Sequence, residues 1–263
     1  MYDWPEVRAE TDAQWAGLRD ALRAAGIDAP ETLARRNADM PAVPGGISAA
    51  DGAIIAPDPA TLPPDELDPH VLWRHPALLF AQTCWGPMEL GLAGHVQPIG
   101  QPDYSPYEGG EGPFYSSAVI MRRGEVLARR PPDDGAAELP IQRMRGLRFA
   151  YNGSDSMSGV IALTRDLEAA GFSLEIFSER LETGGHRASV VAVAEGRADV
   201  CAIDCRSWAL IRRFEPKASA VEAVGWTARR KGLPYIASRH VLEPVVERLR
   251  AALAETDSVF PAV

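Results

Sequence analysis

The sequence predicts an α/β protein whose sheets are mostly parallel and flanked by helices. Three observations carry this. In the second half, short apolar runs alternate with amphipathic stretches of about three turns, the order that puts crossover helices between parallel strands. The 263 residues suffice for one large domain or two small lobes, each with a core. Hydrophobic residues at 46% and charged residues at 24% exclude global disorder.

Taken in order, the first expected element is a helix capped by Thr11, with Trp15, Leu18 and Leu22 on one face and Gly26 as its stop. Residues 41–69 are rich in Pro, Gly and Asp and read as a long loop around a short apolar run at Ile54-Ile55. Residues 77–81 read as a buried strand, leading into the turn Gln82-Thr83-Cys84-Trp85-Gly86-Pro87. Residues 95–104 are extended, and Pro98 and Pro102 confine them to a sheet edge or a crossing segment. After a glycine-rich bend, residues 115–121 form a strand and 129–140 a polar surface connection. The second half then reads as strands at 147–151, 174–177, 199–203, 221–226 and 233–237. Helices are expected at 159–170, 187–195, 206–214 and 241–254, the last with Val245, Val246, Leu249 and Leu253 at helical spacing. No strand precedes the first helix, an unusual opening for this class.

A formal net charge of -9 argues against nucleic acid or an anionic membrane surface as the main partner. No apolar run approaches a membrane span, so no membrane insertion is expected. The first residues, Met1 to Glu6, show neither a basic region nor an apolar core of a signal peptide, so a cytoplasmic protein is expected as the chain stands, and a periplasmic one if the start lies upstream. Cys84, Cys201 and Cys205 are too few for a disulfide framework, and Cys201 and Cys205 lack a second pair for zinc. Neither a metal nor a cofactor is expected. His70 and His75 read as structural, and the pairs Arg129-Arg130 and Arg229-Arg230 as solvated surface.

The chemistry concentrates in Asn152-Gly153-Ser154-Asp155-Ser156-Met157-Ser158-Gly159. This turn lies at the carboxyl end of a strand, where ligands of open α/β sheets sit, and it opens a helix whose first amides have no internal partners. Those amides and the helix dipole suit an oxyanion, with Ser154, Ser156 and Ser158 adding hydroxyls and Gly153 and Gly159 allowing close approach. The lack of Gly-Lys-Ser/Thr rules out a P-loop. Ser156 or Ser158 reads as well as a plain helix cap. His186, after Glu182-Thr183-Gly184-Gly185, is a candidate donor at the same edge, although alone it reads as a surface histidine. Asp204 ends an apolar strand and reads equally as a receiver of a ligand ammonium or hydroxyl and as a helix cap. Tyr115, Ser116 and Ser117 are candidate wall residues of a cleft, faced by Gln82 and Trp85, with Tyr2 and Trp4 as further aromatic candidates. No Ser-His-Asp order is defensible, because Gly-x-Ser-x-Gly is absent.

The run from Phe149 to Gly159, the segments Glu182 to Ser189 and Gly196 to Asp204, the motifs Gln82-Thr83-Cys84 and Glu111 to Ser117, and the pieces Gly225-Trp226-Thr227 and Gly232 to Tyr235 occur here in one order. In this the chain resembles the phosphate/phosphite/phosphonate substrate-binding proteins of ABC transporters, from about residue 80 onward. The resemblance implies a two-lobed type II periplasmic-binding-protein-like fold with two interlobe crossings. Lobe 1 would hold residues 1–105 and 232–263, and lobe 2 residues 106–231. It further implies a small anionic ligand trapped in the cleft, gripped at Ser156, Met157 and Ser158, assisted by His186, with Asp204 meeting a ligand amine. Export would imply an ABC permease as partner. Met157 stands where the family carries threonine, replacing a hydroxyl with a bulky thioether and pointing to a different or larger ligand. The alternatives are a small-molecule lyase on the same fold, with His186 or Asp204 as the titrating group, or a ligand-sensing partner of a regulator. Oligomeric state is not legible.

Overall fold

The computed structural model describes residues 2–125 and 127–256. In chain order the elements are α1 (Arg8–Ala24), β1 (Ile47–Ser48), β2 (Ile54–Ala56), α2 (Pro69–Arg74), β3 (Ala81–Gln82), α3 (Trp85–Glu89), β4 (Val96–Gly100), β5 (Gly110–Glu111), β6 (Phe114–Tyr115), β7 (Ser117–Arg122), α4 (Ile141–Met144), β8 (Arg148–Tyr151), α5 (Ala162–Ala169), β9 (Glu179–Glu182), α6 (His186–Ala194), β10 (Val200–Asp204), α7 (Cys205–Phe214), β11 (Val221–Trp226), β12 (Arg230–Lys231), β13 (Tyr235–Ser238) and α8 (Glu243–Thr256). They form two compact units. The first holds the chain up to Thr83, Pro87–Gln101 and the chain from Leu233 on; the second holds Cys84–Gly86 and Pro102–Gly232.

In the first unit α1 starts earlier than expected. Pro5 opens a short 3-10 turn that runs into it, and Thr11 lies inside the helix, its hydroxyl donating to the Val7 carbonyl at 3.2 Å instead of capping. A proline's fixed φ suits a first helical turn, which makes it the stronger start signal here. Trp15, Leu18 and Leu22 are buried against Val246, Leu249 and Leu253 of α8 and against Ile99 and Tyr235. Each such leucine contributes roughly 2 kcal/mol by leaving water. The sheet beneath has the order β3-β13-β4, antiparallel throughout. Pro98 sits on the edge strand β4, where a missing N–H is tolerated. The expected strand at 77–81 shrinks to Ala81–Gln82, because the buried His75 holds the run in a turn. Its Nδ1 accepts from Ala77 N at 3.1 Å, its carbonyl accepts from Leu78 N, and its Nε2 lies 3.0 Å from the Pro41 carbonyl. The long loop has its own small core of Met40, Ile47, Ala56 and Val71 between the β1–β2 hairpin and α2.

The second unit is built on a five-stranded sheet of order β11-β7-β10-β8-β9. Here the expectation of mostly parallel sheets is corrected. Only β10 with β8 and β8 with β9 pair in parallel, while β7 runs antiparallel to both β10 and β11. Strands β8 to β11 alternate with helices and run the same way, but the antiparallel β7 is inserted between β10 and β11, so β11 has no parallel neighbour. The core gathers Val119, Met121, Phe149, Leu163, Leu167 and Val200, with Phe177 stacked on Phe149 at 4.8 Å. Leu174–Ile176 is a 3-10 turn capped by Ser173, not a strand, and Phe177 leaves it extended; the strand follows as β9. Its Glu-Arg-Leu-Glu sequence is mostly exposed because β9 is the sheet's edge, so the apolar signal fell on the turn that packs inward. At the sheet's opposite end from the site, Asp199 accepts from Arg148 at its backbone N, Nε and guanidinium, and from Arg122 at 2.9 Å. Arg230 is likewise no solvated residue, since it pairs with the buried Asp166 of α5.

Candidate functional site

Strand β8 delivers the chain into the turn 152–156, and the helix it enters opens irregularly. Met157–Ile161 winds as a π-turn before α5, with the amides of Val160 and Ile161 both on the Ser156 carbonyl at 3.1 Å. Such π-turns are rare and favour functional positions. Gly159 makes this one possible, because a Cβ there would come within 1.9 Å of Asn152 Oδ1. Asn152 Oδ1 is itself buried without a hydrogen-bond partner.

The first donors of this helix are not free. Ser156 Oγ accepts from Gly159 N at 3.0 Å, so Ser156 is a helix cap, the plainer of the two readings its position allowed. Met157 N donates to Cys84 Sγ at 3.2 Å. The sulfur lies there because Gly86 lets the segment 84–86 run against the turn: a Cβ on Gly86 would sit 1.7 Å from the Asp155 carbonyl oxygen. A thiol is a weak acceptor, so the Met157 amide is only lightly engaged. Burial pushes the Cys84 thiol up, against the opposing pull of the Gly86, Met157 and Ser158 amides. It is a neutral S–H, not a resident anion.

Ser158 is the serine with a different fate. Its Oγ lies 3.0 Å from His186 Nε2, and the same nitrogen lies 3.3 Å from Asp204 Oδ2. A carboxylate oxygen only accepts, so Nε2 must carry the proton, and Nδ1 is then a bare acceptor. Nδ1 is buried and has no hydrogen-bond partner. Burial holds the imidazole below the ordinary histidine range, and the Asp204 charge opposes this only in part. Asp204 also caps α7, its Oδ1 accepting from Ser207 N at 2.9 Å, so both readings of this residue meet in one side chain. Thr183 fixes the loop before His186, bonding to the carbonyls of Tyr151 and Gly185 and to Ser189 Oγ at 2.7 Å.

Tyr115 lies beside Ser158, fully buried, and burial holds its phenol well above the ordinary range. Its hydroxyl makes no hydrogen bond of normal geometry. Ser158, His186, Asp204, Tyr115 and Cys84 thus form one largely buried polar cluster, and among the described residues no lysine or arginine bonds directly to Ser158 or His186. Of the other expected site residues, Met157 is buried, with Arg165 4.0 Å from its sulfur. Ser154 is exposed on the turn. Ser116 is buried, its amide on the Gly109 carbonyl, and Ser117 Oγ is a further buried orphan. Trp85 donates from its indole to the Gly232 carbonyl at 2.7 Å, with Lys231 over its ring. Gln82 and Tyr2 lie in the first unit, where Gln82 donates to the Leu233 carbonyl and Tyr2 is buried. Cys84 and Thr183 were missed as members of the site. Nothing in sequence spacing announces a thiol facing a helix start 73 residues away.

Residues 88–259 match the sequence profile of a family described as the ABC transporter, phosphonate, periplasmic substrate-binding protein. Among solved structures, the chain is similar to PhnD1 of Prochlorococcus marinus in complex with methylphosphonate, at 17% identity and a TM-score of 0.53, over 70% of this chain and 68% of that one. It is also similar to a binding protein component of an ABC phosphonate transporter from Pseudomonas aeruginosa, at 15% identity and a TM-score of 0.48, over 65% of this chain and 54% of that one. Nothing among the curated proteins matches the chain. The first of these structures supports the type II binding-protein fold, and the profile covers well over half of the sequence. The chain belongs to the family of phosphonate substrate-binding proteins of ABC transporters.

Proposed function

We propose that this chain binds a small oxyanion of the phosphonate, phosphite or phosphate class at the helix mouth of its second unit and presents it to an ABC permease outside the cytoplasm. The observation that carries the reading is the buried Ser158–His186–Asp204 chain. With the Nε2 proton committed, Ser158 keeps its own O–H free to donate, and the Tyr115 O–H is a second donor in search of an acceptor. Both are neutral donors in a dry setting, where hydrogen bonds to an anion are stronger than in water. Among the described residues no helix is long and apolar enough to cross a membrane.

The same geometry favours binding over catalysis. A nucleophilic serine needs a histidine nitrogen with a free lone pair, its other nitrogen oriented by a carboxylate. Here Ser158 and Asp204 converge on one nitrogen, so His186 has no lone pair turned to Ser158. Met157 is as buried as Ser158 and Tyr115, and its thioether offers an anion no donor.

The test is a thermal-shift and calorimetric titration with methylphosphonate, phosphite, phosphate and methanesulfonate. Saturable stabilisation by at least one phosphorus oxyanion, lost in Ser158→Ala, is the expected result. No stabilisation by any of them, or an unchanged shift in Ser158→Ala, overturns the reading.

A further inference from the structure

We propose that an arginine-lined groove on the second unit is a separate binding site for a small polyanion carrying two or more phosphate groups. The groove has a volume of about 720 Å³, within the range of small-molecule sites. Three separate stretches of chain line it with guanidinium groups: Arg123 after β7, Arg129 and Arg130 on the connection that follows, and Arg212 and Arg213 in the last turn of α7. It shares no lining residue with the Ser158–His186–Asp204 chain.

The charge balance favours an anion. Three carboxylates line the groove, Glu108, Glu215 and Glu222, against the five arginines. Glu222 takes Arg123 at 3.2 Å and Glu108 takes Arg212 at 3.2 Å. Glu215 is held from outside the groove by Arg187 at 3.1 Å, which leaves it unavailable to the lining arginines. Arg130 has no carboxylate partner among the described residues, and Arg129 reaches only the half-exposed Glu138 at 3.5 Å. This surplus sits on a chain whose formal net charge is -9, so it is a local concentration set against the overall field.

Aromatic rings prepare two of the donors. Arg212 lies over the Trp208 ring at 5.7 Å and Arg213 over the Phe214 ring at 4.7 Å. A guanidinium near a ring face is partly fixed in place, which lowers the cost of ordering it on a phosphate. Arginines in a last helical turn also offset the helix dipole, which accounts for Arg212 and Arg213, and Arg123 is held by the carbonyls of Ser219 and Val221; neither accounts for Arg129 and Arg130. Guanidinium groups from three separate stretches match a ligand with several anionic groups better than one with a single group.

The experiment titrates the full chain with inorganic tripolyphosphate by calorimetry, in saturating methylphosphonate and near-physiological salt, with inorganic phosphate as comparator. Tripolyphosphate should bind at least about tenfold tighter than phosphate, and Arg129→Glu with Arg130→Glu should weaken it by about tenfold or more. Ser158→Ala should leave it unchanged. Both arginines are exposed, so the variant should unfold at the wild-type temperature without ligand; Arg130→Ala gives the same reading, smaller, should it not. Absence of tripolyphosphate binding, an affinity indifferent to charge reversal, or a loss in Ser158→Ala overturns the proposal. Because the helix mouth is read separately with methylphosphonate, failure at either site leaves the other's result intact.

Discussion

His186 Nε2 points at Asp204 Oδ2 across 3.3 Å, while Nδ1 of the same ring is buried with nothing to bond. The pair therefore fixes a tautomer without holding a proton on the second nitrogen, and burial keeps the ring neutral at pH 7.

A pH dependence of stability follows from this. Unfolded, His186 titrates near 6.5; folded, it titrates lower. As pH falls below 6.5 the unfolded chain takes the proton first, so stability is complete above that value and declines toward the folded pKa. Urea midpoints measured from about pH 7.5 to 5.5 should fall less steeply in His186→Gln than in the wild type. Equal slopes would show that the ring is not held neutral.

Ser156 and Ser158 should separate by the quantity they affect. Ser156→Ala removes the cap on Gly159 N and should cost about 1 kcal/mol of stability while leaving Ser158 in place. Ser158→Ala should cost less stability, because His186 keeps its bond to Asp204, and should abolish methylphosphonate binding. Denaturation and calorimetry on both variants decide it.

Gly86→Ala should be among the most damaging single-methyl changes in the protein. The added carbon lands 1.7 Å from the Asp155 carbonyl oxygen, which is backbone and moves only with the whole turn. A stability loss of roughly 2 kcal/mol is expected, together with weaker ligand binding. Gly171→Ala, where nothing lies within 4 Å but φ is +81°, provides a comparison that strains the backbone alone.

The three cysteines should be silent toward thiol reagents in the native state. All are buried, and burial pushes each thiol up, well away from the reactive thiolate. Rapid Ellman's colour from the native chain would contradict this; full colour is expected only in denaturant.

Much of this was legible from residue pattern. The faces of α1 and α8, the βα alternation from β8 to α7 and the turn 152–159 follow from spacing and from glycine and serine chemistry. The direction of β7 was not, because strand polarity depends on partners that lie far off in sequence. The location of β9 failed for a related reason: an edge strand needs no apolar alternation, so Glu179–Glu182 carries none. At the site, the serines and His186 were visible, but the division of labour between Ser156 and Ser158 was not. Both precede or open a helix, and only the positions of Gly159 N and His186 Nε2 tell cap from donor.

The central strand of the first unit's sheet, β13, comes later in the chain than every strand of the second unit's five-stranded sheet, and α8 follows it to pack on α1. During synthesis, every strand of the second unit's five-stranded sheet has left the ribosome while the first unit's own sheet still lacks its middle. Until the carboxyl end is present, Trp15, Leu18 and Leu22 have Phe80 and Ile99 beside them but lack Tyr235, Val246, Leu249 and Leu253. Shortening the carboxyl end by a few dozen residues would deprive the protein of its beginning as much as of its end.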